Sequence, residues 1–201
     1  MSIEQLIRHP KTFLKDNAVW VSGRMNVTGR GKAELWPVQL ARMGGVTCSK
    51  RDGTAMPCWE IIPATDLRNH VLAYFLPWAP NSTKTMTLGT KASLFLTDTL
   101  NGCTFAGVGG TSPTVAHVNY NMGKVEGNPI DQVFMDGEVT KLFPGGARVL
   151  RKGDYNTPIF PNCTVIGVLR GGGWDFVYQS RNYVNSTATK NYEYMSVHTI
   201  R

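Results

Sequence analysis

Residues 93–108 of the chain read SLFLTDTLNGCTFAGV, and residues 115–119 read VAHVN. Three short runs within them, 93–97, 104–108 and 115–119, are rich in the apolar, aromatic and β-branched side chains that are typical of strands. Asn, Gly, Ser and Pro residues separate these runs, as expected for turns. The segment therefore predicts three consecutive β-strands.

The same alternation of short β-type runs with turn residues continues along the rest of the chain. Regularly spaced short strands are typical of a β-rich sandwich or barrel. The predicted strands are 19–22, 38–43, 71–76, 93–97, 104–108, 115–119, 139–143, 165–169, 176–179 and 192–197.

Helical signals occur in two places. Ser2 followed by Gln5 is a capping-box pattern, which predicts a short N-terminal helix that Pro10 ends or resets before a further turn at 12–15. Residues 66–73 are a weaker helix candidate that competes with the strand predicted at 71–76. No internal repeat and no long linker divides the 201 residues, so we expect one domain over residues 1–201.

Composition excludes several classes of protein. No run approaches the roughly 18 apolar residues of a membrane span, and the charged N-terminus does not match a Sec signal peptide. The net charge of +7 is spread along the chain, with +5 over residues 1–100 and +2 over residues 101–201. Because no basic tract stands out, we expect no nucleic acid or membrane partner, and the excess charge fits attraction to an acidic partner protein or solubility alone.

The four cysteines are too few for a disulfide scaffold, and their spacing lacks the close pairs of a zinc site. We therefore expect no zinc site, and the Cys–His chemistry considered below needs no metal and no cofactor. Whether Cys48 and Cys58 pair across a hairpin stays open, because the sequence does not supply their Cα separation.

Cys103 and His117 are the residues that suggest chemistry. A Cys nucleophile reacts as the thiolate, and a neighbouring His is the usual base. Cys103 and His117 are 14 residues apart. If the runs 104–108 and 115–119 are adjacent antiparallel strands, this separation brings the two side chains together. Gly102 permits a sharp turn that exposes the sulfur and directs backbone amides at an oxyanion. The alternative is a buried structural Cys beside a hydrogen-bonded core His.

The run Leu100-Asn101-Gly102-Cys103 with the downstream His117 resembles the Leu-Ser-Gly-Cys motif of the bacterial glutamine deamidase toxins. These include Burkholderia lethal factor and the catalytic domain of cytotoxic necrotizing factor. Leu76-Pro77-Trp78 and Thr97, six residues before the Cys, are similar to Burkholderia lethal factor. The resemblance covers residues 72–120, and Asn101 stands where the family has Ser.

This resemblance implies an α/β, β-rich fold: a single catalytic domain with a central β-sandwich flanked by a few short helices. It implies hydrolysis of a Gln side chain on a host protein, with Cys103 as nucleophile, His117 as base and Thr97 as the group that orients the His. Gly102 and Asn101 would form the oxyanion turn, and Trp78 would be a wall of the thiol pocket. Whether Thr97 acts through its hydroxyl or its carbonyl is open.

The implied target is a translation-initiation helicase or, as in the wider family, a Rho-type GTPase. The implied setting is a bacterial effector that acts in the host cytosol, and we expect a monomer. The same nucleophile and base also suit a cysteine protease or a transglutaminase. A non-enzymatic alternative is a basic β-sandwich binding module with an inert Cys103. The carboxylates at 126, 131, 136 and 138 suggest loop charges rather than a glycosidase pair.

Overall fold

Two β-sheets packed face to face form the centre of the protein in a computed structural model, which describes residues 2–28, 34–65, 70–121, 129–155, 161–184 and 190–201. The elements in chain order are α1 (Ile3–Arg8), α2 (Pro10–Asp16), β1 (Ala18–Val21), α3 (Gly23–Thr28), β2 (Glu34–Arg42), β3 (Val46–Ser49), β4 (Ala55–Met56), β5 (Cys58–Pro63), β6 (Val71–Leu76), β7 (Ser82–Thr87), β8 (Leu94–Thr97), β9 (Thr104–Gly107), β10 (Thr114–Asn119), α4 (Pro129–Leu142), β11 (Arg148–Leu150), α5 (Lys152–Tyr155), β12 (Pro161–Arg170), β13 (Gly173–Val184) and β14 (Lys190–Thr199). The predicted α/β, β-rich class with a central sandwich and short helices is confirmed.

The larger sheet has ten strands in the order β1-β5-β2-β6-β8-β12-β13-β14-β3-β4, and the smaller has four in the order β11-β9-β10-β7. Strand β8 lies near the middle of the large sheet, parallel to β6 and antiparallel to β12. Strand β10 is antiparallel to both β9 and β7. The three strands predicted from residues 93–119 are therefore present, but β8 belongs to one sheet while β9 and β10 belong to the other.

Successive residues of a strand point to opposite sides of its sheet. Each of these strands therefore has one face between the two sheets and one face towards the outer helices. In β8, Leu94 and Leu96 pack in a cluster with the N-terminal helices, whereas Phe95 packs in the cluster between the sheets. In β10, Val115 lies between the sheets and Ala116 faces outward. Thr97 and His117 share the faces of Phe95 and Val115, so both point between the sheets.

Three aromatic rings connect the two sheets. Phe95 and Phe176 come from the large sheet and Phe105 from the small one, and their ring centroids lie 5.4–5.9 Å apart. Gly167 makes room for them, because a Cβ at this position would lie 2.9 Å from a ring carbon of Phe176. All three rings are fully buried.

Helices cover the outer faces of the sandwich. The two N-terminal helices cover the large sheet, with Ile3, Leu6, Phe13 and Leu14 buried against it. The capping box predicts the first of them correctly, since the Ser2 amide donates to Gln5 Oε1 at 3.0 Å, and Pro10 begins the second helix as expected. Within the described residues, no helix is long and apolar enough to cross a membrane.

The strand predicted at 139–143 is wrong, because these residues belong to helix α4 and the turn that follows it. Met135, Val139 and Phe143 recur every four residues and bury one helical face against Ala106 and Ala116 of the small sheet. The β-branched composition of 139–143 suggests a strand locally, and packing against the sheet overrides that preference.

Helix α4 and strand β6 also differ from two predictions, the loop carboxylates and the helix candidate at 66–73. The carboxylates Asp131, Asp136 and Glu138 lie in helix α4 rather than in a loop, and Glu126 is outside the described residues. The helix alternative for 66–73 is wrong at Val71–Ala73, which pair with β2 as part of β6, while 66–69 are outside the described residues.

Candidate active site

Thr97 and His117 meet between the two sheets at the end of β8. The Thr97 hydroxyl lies 2.8 Å from Nδ1 of His117 and 3.0 Å from the backbone carbonyl of Leu76. All three residues are fully buried. The predicted neighbourhood of Thr97 and His117 is thus present, and the Thr97 hydroxyl rather than its carbonyl makes the contact.

The two hydrogen bonds of Thr97 define the tautomer of His117. A hydroxyl has a single proton, and the Leu76 carbonyl is able only to accept it. The Thr97 oxygen must therefore accept the second bond, so His117 Nδ1 carries a proton and donates it. In the neutral ring Nε2 is then deprotonated and holds a lone pair, which is the form a general base requires.

His117 Nε2 is buried and has no hydrogen-bond partner among the residues that the structure describes. Burial disfavours the charged form and lowers the pKa of His117 from 6.5 to about 3. The ring is therefore neutral at physiological pH. An unsatisfied buried nitrogen carries a free-energy penalty, and such groups are retained where a ligand or a reaction uses them.

Cys103 lies one residue before β9, on the same side of the small sheet as His117. Phe105 is the direct partner of His117 across the β9–β10 pair, so Cys103 is the diagonal neighbour of the His in that register. The thiol is 3% exposed and packs in the inter-sheet cluster with Leu100 and Cys163. The structure thus places Cys103, His117 and Thr97 at one end of the sandwich interior.

Burial raises the pKa of the Cys103 thiol to about 12. The Asn101 backbone amide opposes this increase by hydrogen bonding to the sulfur, and the Asp98 carboxylate adds to it. No Cys103–His117 hydrogen bond is present, since His117 Nε2 has no partner in the described part of the chain. The free protein therefore holds a neutral thiol and a neutral imidazole at physiological pH.

Tyr155 of α5 holds the turn that carries Cys103. Its buried hydroxyl accepts a hydrogen bond from the Gly102 amide at 3.1 Å and donates one to the Cys103 carbonyl at 2.6 Å. The Gly102 amide therefore has a partner in the free protein, while the predicted role of Gly102 and Asn101 in an oxyanion turn stays a prediction. The Cys103 amide donates to no other group within the described residues, so it is free to bind an acceptor atom of a ligand.

Three of the predicted site residues, Asn101, Gly102 and Trp78, are more exposed than Thr97, Cys103 and His117. Asn101 is exposed and Gly102 is half-buried, with a φ of +157° that side chains rarely adopt. Trp78 is 38% exposed, and its carbonyl accepts a hydrogen bond from Asn26 of α3. Trp78 follows by two residues Leu76, which is the partner of Thr97 across β6 and β8, and its role as a pocket wall stays a prediction.

Three residues of this region were not found by sequence reasoning. Asp98 is buried and accepts hydrogen bonds from Asn26 Nδ2 at 2.9 Å and from the Thr99 amide. Tyr155 is 52 residues from Cys103 in sequence. Neither Asn26 nor Tyr155 belongs to a motif, so no sequence signal identifies them.

A metal centre is not indicated in the described ranges, where no three His, Cys, Asp or Glu side chains are grouped to hold an ion. The four cysteines are buried free thiols, so Cys48 and Cys58 are unpaired in this structure. No model of a protein family matches the chain, and no curated protein has a significantly similar sequence. Function must therefore be inferred from the geometry of the site.

The tautomer of His117 is directly measurable. We expect Nδ1 to be protonated and Nε2 deprotonated at pH 7, because Thr97 has only its lone pair left for the ring. Long-range ¹H–¹⁵N spectra of the ¹⁵N-labelled protein distinguish the two nitrogens. Thr97→Val removes the acceptor and should shift the population towards the other tautomer. A protonated Nε2 in the unsubstituted protein contradicts the assignment.

The stability of the fold should fall in mild acid because of His117. Its pKa is lower in the folded than in the unfolded protein, so the unfolded chain binds the extra proton between pH 6.5 and about 3. At pH 5 this amounts to a loss of about 2 kcal/mol relative to pH 7. Urea unfolding at both pH values should show this loss in the protein and in the exposed-site control His9→Asn, and a smaller loss in His117→Asn. Equal losses in all three proteins would refute the assignment.

Proposed function

We propose that the protein is a glutamine deamidase that converts a Gln of a host protein to Glu, acting as a bacterial effector in the host cytosol. The observation that carries this proposal is the buried Thr97–His117 hydrogen bond. It leaves His117 Nε2 as an unprotonated base on the sheet face that Cys103 shares. A thiol, an oriented imidazole and a free amide donor are the groups that acyl transfer through a thioester requires.

The first half of the reaction transfers the acyl group to Cys103. The sulfur attacks the carboxamide carbon, and its proton passes to His117 Nε2 as the S–C bond forms. Because the thiol pKa is about 12 and the His pKa about 3, this transfer accompanies the attack rather than preceding it. The imidazolium then donates that proton to the leaving nitrogen, ammonia departs and the thioester remains.

The second half hydrolyses the thioester. His117 removes a proton from water, the hydroxyl adds to the acyl carbon, and the sulfur leaves and recovers its proton from His117. The net reaction consumes one water and one carboxamide and yields Glu and ammonia. If an amine replaces the water, the same site acts as a transglutaminase. Thr97 keeps its bond to Nδ1 throughout and so holds the ring in place.

Burial of the nucleophile favours a side-chain amide over a peptide bond as the substrate. Cys103 is 3% exposed and lies between the sheets, so we propose that a thin side chain reaches it more easily than a main chain with side chains on both sides. The side chain of Gln is unbranched and presents its carboxamide at the end of a two-carbon stem. This supports deamidation rather than proteolysis. The resemblance of residues 72–120 to the toxin family makes a translation-initiation helicase the first target to test and a Rho-type GTPase the second.

The direct test is mass spectrometry of host-cell proteins incubated with the protein. We expect a Gln-to-Glu gain of about one mass unit on a discrete target, and Cys103→Ser should abolish it because the seryl oxygen is a far weaker nucleophile beside a neutral His. The same experiment distinguishes the alternatives, since a protease yields a cut chain and a transglutaminase yields an amine adduct.

Cys58→Ser is the matched control, because Cys58 is also buried but packs in a separate cluster with Trp20 and Met56. It should retain the activity, and circular dichroism should show that both variants fold. Modification that persists in Cys103→Ser would end the proposal.

One observation favours a second candidate, a basic β-sandwich that binds a partner without catalysis. A buried thiol with its pKa raised to about 12 is also what an inert core cysteine has. In that case Cys103 packs between the sheets for stability alone, as Cys163 does in the same cluster.

Alkylation with iodoacetamide separates the two candidates. If His117 accepts the thiol proton, Cys103 should react faster than the fully buried Cys163, and His117→Asn should slow Cys103 selectively. If the thiol is inert, both cysteines react only through unfolding, at rates that rise together with urea. Peptide mass spectrometry of the two alkylated cysteines over time provides the measurement.

A further inference from the structure

A cavity of about 510 Å³ lies beside α5, at the end of the large sheet where β14 finishes. This volume is within the range of ligand-binding pockets in proteins. Residues of α2, β11, α5, β13 and β14 line the cavity, and none of them belongs to the group formed by Thr97, Cys103 and His117.

Cations predominate around this basic cavity. Lys11 and Lys15 are four residues apart on α2 and therefore share one helical face, and Arg151 and Arg201 come from other elements. Asp154 is the one carboxylate side chain among the lining residues. Within the described part of the chain, Lys11, Lys15 and Arg201 form no salt bridge.

Two carboxylates near the cavity, those of Asp136 and Asp154, already contact Arg151. Arg151 Nε pairs with Asp136 of α4 at 2.9 Å, and Asp154 accepts a hydrogen bond from the Arg151 backbone amide at 2.7 Å. An amide does not neutralise a carboxylate, so the charge of Asp154 offsets one of the three cations Lys11, Lys15 and Arg201, and a net positive charge stays at the cavity. Such a group of cations raises the local concentration of an anionic ligand and strengthens its binding.

Apolar side chains share the wall with these cations. Val149, Val197 and Ile200 line the cavity together with the ring of Tyr178. A wall of mixed charged and apolar groups matches a peptide in which acidic residues alternate with apolar ones. A polyphosphate or a nucleic acid backbone offers no group for the apolar part of the wall, so the observations favour a peptide.

The cavity is also next to the helix that holds the nucleophile. Asp154 lines the cavity, and the following residue, Tyr155, binds the Gly102–Cys103 turn. The Tyr178 hydroxyl, on the cavity wall, donates to the Asp154 carbonyl at 3.2 Å. A ligand in the cavity therefore contacts the element that positions Cys103.

We infer that the basic cavity binds an acidic, partly apolar peptide segment. The assignment of this segment to the protein substrate rests on the deamidase function proposed above. In that reaction the segment anchors the substrate beside α5 while its Gln enters the site. The formal charge of +7 for the chain agrees with an acidic partner.

The test measures binding and needs no activity. A fluorescein-labelled eight-residue peptide of alternating Glu and Leu is titrated with the full chain, and its anisotropy is recorded. Lys11→Gln combined with Lys15→Gln should weaken binding about tenfold, because two exposed cations lose their attraction to the peptide. The charge-matched control, Lys91→Gln with Lys190→Gln at exposed positions elsewhere, should bind like the unsubstituted protein.

The outcomes separate this inference from the proposed function. Selective weakening by the Lys11 and Lys15 changes supports it, and Cys103→Ser should bind the peptide normally whether or not the protein is an enzyme. Equal affinity of the two double variants overturns it. Displacement of the peptide by equimolar inorganic phosphate, or tighter binding of a single-stranded oligonucleotide, also overturns it, because the site then recognises phosphate rather than an acidic peptide.

Discussion

The contact of Phe95 and Phe176 with Phe105 sets the spacing of the two sheets, and the candidate site depends on that spacing. Phe95 and Thr97 are two residues apart on β8, and Phe105 is the direct partner of His117 across β9 and β10. Phe95 thus shares β8 with Thr97, and Phe105 on β9 lies beside His117 on β10, so the ring contact also positions the polar pair. When the rings pack at 5.4–5.9 Å, the Thr97 hydroxyl and His117 Nδ1 arrive at hydrogen-bond distance.

Burial gives the site its electrostatic character. Both titratable groups are neutral, because the low-dielectric interior disfavours the thiolate and the imidazolium alike. In the reaction that we propose, neutral groups suit a neutral carboxamide, and charge separates only in the step in which the sulfur attacks. Thr97 and Tyr155 are uncharged and fix geometry. Thr97 orients the His117 ring, and Tyr155 holds the Gly102–Cys103 turn.

Local sequence patterns predict most of the strands around the site, and the resemblance of residues 72–120 singles out Thr97, Cys103 and His117. Local patterns fail where packing against another layer decides the secondary structure. Residues 139–143 contain β-branched and large apolar side chains, yet 139–142 lie in a helix because Met135, Val139 and Phe143 cover the small sheet together. The pairing of Tyr155 with the Gly102–Cys103 turn joins residues 52 positions apart in sequence, and no periodicity encodes such a contact.

By itself the sequence determined the β-rich class, the strands β8, β9 and β10, and the order of a Thr, a Cys and a His along them, because hydrophobic periodicity and turn residues act over a few neighbouring positions. Only the tertiary structure decided that β8 belongs to a different sheet from β9 and β10. It also decided that the Thr97 hydroxyl binds His117, and that Cys103 is a neutral, buried thiol. The reason is physical: protonation and tautomers depend on which groups lie across a packed interface, and long-range packing alone brings those groups together.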